Sequence, residues 1–150
     1  MKSLHATFAL AATAFILFAD TESKVEMKDL PQAVQEAVKR ETANAKLRGL
    51  NKEIEHGQTM YEAETTINGH RRDVLFEKTG AVVEVEEEVQ INDVPMAARE
   101  ALEKKSAGAT IKRVEKSTRG SSVSYEATIL RNGKKSEIAV NADGTENKEE

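Results

Sequence analysis

Glu84, Glu86 and Glu88 occupy every second position of the run 82–89, whose other members include Val83, Val85 and Val89. A β-strand there would carry three carboxylates on one side, spaced about 7 Å apart. Such a row could attract a cation. Calcium sites usually add turn carbonyls and a glycine-centred loop, which this run lacks, so it reads as a solubilising face. Glu62 and Glu126 are a second pair, and two carboxylates can share general acid and base work. Both alternate with apolar residues and read as solvated strand positions. Tyr61 and Tyr125 fall at matching places. Their rings suit a core, with the hydroxyls reaching water or a partner; the other use is to grip a ligand.

Other chemistry finds little material. The chain has no cysteine, hence no disulfide framework, thiol nucleophile or thiolate metal site. His56 and His70 sit in neither a Gly-x-Ser-x-Gly elbow nor a His-Glu-x-x-His motif. We therefore expect no catalytic residues, no cofactor and no metal ligands. With 22 basic against 26 acidic residues and a net charge of −4, nucleic acid is a poor match, because its binding needs a clustered basic face. The basic groups His70-Arg71-Arg72 and Lys134-Lys135 follow Asn-Gly dipeptides and read as hairpin ends.

The elements that must position these residues occur twice. Residues 25–80 and 89–144 align without a gap, since 89 − 25 = 64 and 144 − 80 = 64. Such a repeat constrains the architecture. Asp29-Leu30-Pro31 and Asp93-Val94-Pro95 open amphipathic helices, Pro lying in the first turn and Asp placed to cap the free amides. Small apolar residues at three-and-four spacing carry the helices to about Thr42 and Ser106. Strands follow over 47–55 and 111–117. The alternating runs 59–67 and 123–129 end at Asn68-Gly69 and Asn132-Gly133, which favour two-residue hairpin turns. Returning strands carry Val74 and Phe76, then Ile138 and Val140. At about 60 residues each copy is marginal alone, so a continuous shared core is expected. The class is α+β, a helix and an antiparallel meander twice over. A polar tail or short charged edge strand is expected after Gly144.

Residues 3–19 form an uncharged apolar run behind Lys2, the form of a secretory signal peptide cleaved before Asp20. The run is short of the ~20 residues of a spanning helix. The expected organisation is a signal peptide at 1–19 and repeats at 20–88 and 89–150, in a chain exported to the periplasm or exterior without stable membrane insertion.

The Asp-Leu/Val-Pro opening, the small-apolar helix, Tyr-Glu-Ala at 61–63 and 125–127, Asn-Gly and the closing Gly turn together resemble PepSY and PepSY-like domains. The tandem arrangement resembles the β-lactamase inhibitor protein. That resemblance implies paired helix-plus-strand units in one antiparallel sheet, with the helices on one face. It also implies a non-catalytic role that binds or inhibits a protein partner, such as an envelope protease. Tyr61, Tyr125, Glu84, Glu86 and Glu88 are the candidate partner-binding residues. The alternative is a module for a small ligand or divalent cation.

Overall fold

The computed structural model describes residues 21–55 and 57–147; the expected signal peptide and His56 lie outside them. Eight strands form a single antiparallel sheet in sequential order. They are β1 (Thr21–Lys24), β2 (Lys46–Glu55), β3 (Gln58–Ile67), β4 (His70–Glu77), β5 (Val82–Val89), β6 (Thr110–Arg119), β7 (Ser122–Arg131) and β8 (Lys134–Asn141). Helix α1 (Gln32–Glu41) lies between β1 and β2, and α2 (Met96–Lys105) between β5 and β6. The bounds of α1, β2, β3 and β4 all recur 64 residues later in α2, β6, β7 and β8. Strand β1 finds its counterpart in the second half of β5. That strand therefore serves twice, closing the first meander and opening the second unit.

Local chemistry explains the punctuation. Asn68 and Gly69 have φ of 52° and 88°, and Asn132 and Gly133 have 51° and 78°, as a type I′ turn requires at both central positions. Gly80 has φ 81°, and a Cβ built on it would stand 2.5 Å from the carbonyl oxygen of Ala33 in α1. Gly144 repeats the arrangement against Ala97 at 2.6 Å. The closing turn of each meander is thus a glycine because a helix backbone rests on it.

Both helices lie on one face. In the first unit Val34, Ala37 and Val38 of α1 pack with Leu50, Ala63, Val74 and Phe76 of the sheet. In the second, Ala98 and Leu102 of α2 pack with Val114, Ala127, Ile129 and Val140. Each fully buried large side chain contributes about 1.5–3 kcal/mol. The core is divided, contrary to the continuous one expected: Val85 belongs to the first cluster and Val89 to the second. Each helix covers its own three strands, and the backbone of β5 spans the seam.

Two further expectations need correction. The α-helices begin with Pro31 and Pro95 as N-caps, without a side-chain cap. Asp29 acts two residues earlier, accepting a bond from Glu26 N at 3.4 Å to close a 3-10 turn at Met27–Asp29. Val83 leaves the line of Val85 and Val89 because the β4–β5 register shifts between Leu75 and Phe76. The chain after Gly144 forms a bridge from Glu146 to Val140.

Candidate functional site

Among the described residues, no helix lies on the opposite face of the sheet. Tyr61 and Tyr125 do not reach it: Tyr61 packs against the α1 cluster, and Tyr125 is 7% exposed within the α2 cluster. Among the sequence candidates, the structure brings Glu84, Glu86 and Glu88 together on the helix-free face and leaves both tyrosines on the other. His70 is exposed at the start of β4.

Strand register places many more carboxylates beside the β5 glutamates. Glu64, Asp73 and Glu86 stand directly opposite one another on β3, β4 and β5. One row further along, Glu88, Glu115 and Glu126 do so on β5, β6 and β7. A third row runs Asn51, Glu62, Leu75, Glu84, Arg119. Like charges directly opposed across strands are destabilising, so two such triplets in one sheet cost stability.

Basic side chains compensate part of this charge. Arg48 lies 3.1 Å from Asp73 and 3.6 Å from Glu64. Arg113 lies 2.9 Å from Glu115. Glu88 accepts a bond from Arg71 N at 3.1 Å, and Glu62 one from Asn51 Nδ2 at 2.8 Å. Among the described residues, Glu62, Glu86 and Glu126 are in no ion pair.

Their protonation reflects it. Burial, then Glu84, Glu126, Glu115 and Glu62, push the Glu86 carboxyl up to about 8. Burial, then Glu137 and Glu115, against the opposing pull of Arg113, raise Glu126 to about 7. Glu62 is raised by burial, with Asn51 acting against the rise and Asp73, Glu64 and Glu22 adding to it. Crowding and desolvation thus favour the neutral carboxyl at Glu62, Glu86 and Glu126.

The same face is concave. Arg119 Nη2 on β6 lies 3.4 Å from Glu55 Oε2 on β2, although a flat sheet would separate those strands by about 19 Å. Arg119 also binds Glu84, which in turn accepts from Ser117 Oγ. The two carboxylates that Arg119 joins, Glu55 and Glu84, also line a cavity of about 170 Å³, together with Glu53, Glu62, Asp73, Val74, Leu75 and Glu86. Leu75 and Met60, each 7% exposed, give this side its apolar floor. Sequence reading singled out none of Glu55, Glu64, Asp73, Glu115 or Arg119, because their proximity is a matter of register and coiling.

An α+β architecture with paired helix-and-meander units and one concave sheet face that no described helix covers defines the class of module. The chain belongs to the family described as "Putative beta-lactamase-inhibitor-like, PepSY-like", whose model matches residues 18–68 and 59–145. Three solved structures share the fold. A "putative periplasmic" protein of Bacteroides eggerthii superposes with TM-score 0.63 at 18% identity, covering 78% of this chain and 85% of that one. A protein of the DUF2874 family from Bacteroides uniformis gives 0.60 at 20% identity, covering 77% and 85%. A BLIP-like protein of Bacteroides fragilis gives 0.55 at 23% identity, covering 79% and 83%. No curated protein matches this chain. Among the described residues no helix is long and apolar enough to cross a membrane.

Proposed function

We propose that this protein is an exported, non-catalytic binding module that holds a protein partner on the helix-free face of its sheet. The observation that carries the reading is the pair of directly opposed carboxylate triplets, Glu64–Asp73–Glu86 and Glu88–Glu115–Glu126. A sheet that needed only to fold and dissolve would intersperse its charges, as favourable cross-strand pairing requires. A face kept acidic at a cost in stability suits a counter-charged surface, which electrostatic complementarity would steer and orient. The B. fragilis neighbour's description as BLIP-like and the family's description support an inhibitor-type role. The B. eggerthii neighbour's description supports a periplasmic location.

The test is affinity capture from envelope extract of the source cells with three baits. These are the wild type, a sheet-face variant (E64Q/E86Q/E126Q) and a helix-face variant with the same number of substitutions (E36Q/E100Q/E103Q). The reading expects one protein recovered by the wild type and the helix-face variant, and lost by the sheet-face variant. Equal recovery by all three baits contradicts it.

A second reading, divalent-cation binding, is favoured by one arrangement. Glu22, Glu62 and Glu64 each place an oxygen within 4.8 Å of the others. Calorimetric titration with calcium, zinc and copper decides it, and flat isotherms remove the idea.

A further inference from the structure

The cavity lined by Glu55 and Glu84, the two partners of Arg119, combines three features that together specify a ligand. Its walls are carboxylates on β2, β3, β4 and β5, and among the described residues no basic side chain lines it. Its floor includes Leu75, an apolar surface for a hydrocarbon stem. A guanidinium already engages two of the lining carboxylates, with Arg119 spanning Glu55 and Glu84. Arg119 is the repeat counterpart of Glu55, since 119 − 55 = 64. One copy therefore presents an acid, and the other a base, at equivalent strand ends, and the coiling of the sheet brings them together.

That resident guanidinium shows which group the walls accept. It takes part of the charge of Glu55 and Glu84, while Glu62 and Glu86 are in no ion pair among the described residues. The Arg119 side chain is 37% exposed, so it can swing aside without unpacking a core. A long cationic side chain entering from solvent would lay its methylenes on Leu75 and its charge among the lining carboxylates. Long basic side chains divide in this way between apolar stem and charged head. A planar guanidinium can also engage a carboxylate through two parallel bonds.

We infer that this cavity receives one arginine or lysine side chain of the partner protein, and that Arg119 is the resident cation it competes with. The inference rests on the reading of the helix-free face as the partner surface and names the chemistry of the contact. Free polyamines share the charge but present no flanking backbone, so they are the rival source.

The test uses purified protein at pH 8, low salt, and a tetra-arginine peptide, with its neutral tetra-citrulline isostere as control, followed by calorimetry. Wild type should bind the arginine peptide and not the citrulline one. E62Q/E84Q should weaken binding tenfold or more, whereas the charge-matched E36Q/E100Q should change it less than twofold. Arg119→Gln should tighten binding severalfold by removing the internal competitor. If the double variant does not fold, E62Q alone, which keeps its acceptor for Asn51, should still weaken binding at least threefold. The inference is overturned by equal binding of both peptides, by equal losses from cavity and helix-face variants, by weaker binding after Arg119→Gln, or by spermidine binding as tightly as the peptide. It fails separately from the parent reading: absent peptide binding with capture still lost in E64Q/E86Q/E126Q removes the arginine pocket and leaves the partner surface in place.

Discussion

Replacing Glu86 by glutamine should stabilise this protein at alkaline pH and leave it unchanged in acid. The carboxyl sits between Asp73 and Ser117 in its row and between Glu84 and Glu88 along its strand, with Glu115 on the adjoining β6 and Glu62 and Glu126 two strands away on β3 and β7. Its folded value of about 8 exceeds its ordinary value of 4.5, so the folded state holds this proton more tightly than the unfolded chain does. The contribution to stability is therefore fully present below the ordinary value and is lost as pH rises through the folded one. Integrating the linkage relation from pH 5 to pH 8 gives a loss of up to about 3.5 kcal/mol. The substituted amide would keep the shape of the neutral carboxyl and cannot ionise, so the Glu86→Gln variant should match wild type at pH 5. At pH 8 it should be more stable by about 2–3 kcal/mol, after partial solvent screening is allowed for. For a chain of this length that is roughly 5–10 °C in Tm. Urea denaturation of both proteins at pH 5, 6.5 and 8 is the assay. A wild type equally stable at all three values, or a variant equally destabilised at pH 5 and pH 8, would refute the idea of a crowded, proton-holding face.

Other outcomes follow from the packing. Gly80→Ala should cost about 2–4 kcal/mol, from a strained positive φ and a Cβ pressed on the Ala33 carbonyl. Gly57→Ala, with nothing within 4 Å of the new Cβ, should cost about 1 kcal/mol; thermal melts compare them. Because the core is divided, Val34→Ala and Leu102→Ala should destabilise additively to within about 0.5 kcal/mol, each costing roughly 2–4 kcal/mol. A coupling well above that would mean that β5 transmits packing between the clusters. For export, mass spectrometry of protein from the envelope fraction should find an N-terminus at Asp20; a chain still beginning at Met1 contradicts cleavage.

Much of this architecture is legible in the sequence because the repeat states it twice. Helices, hairpins and the antiparallel meander follow from Pro31 and Pro95, from Asn68-Gly69 and Asn132-Gly133, and from alternation along β3 and β7. The turns even contain part of the site. A two-residue turn at 68 and 69 sets Glu64 opposite Asp73, because 64 + 73 equals 68 + 69, and the register agrees. What cannot be read is the neighbour of β5 on either side. The β4–β5 pairing shifts at Leu75/Phe76, and β5 meets β6 only after a helix has intervened. Without those two registers Glu84, Glu86 and Glu88 look like a solvated row and not the spine of a larger block. Coiling is equally hidden: nothing local in Glu55 or Arg119 says that they meet across three strands. The Asp29 cap departs from expectation for a simpler reason. Pro31 is itself the N-cap, which leaves the aspartate to close the preceding 3-10 turn.

If the bare face of the sheet is the working surface, crosslinking in living cells should find the partner there and nowhere else on the molecule. A photoreactive residue would be introduced at Thr66 or Ser124 on that face, and at Gln32 or Glu100 on the exposed sides of the helices. These positions leave every carboxylate of the two triplets in place. A crosslinked partner of one molecular mass is expected from positions 66 and 124, and none from 32 and 100. Crosslinks from the helices with silence from the sheet would contradict the assignment of the working surface.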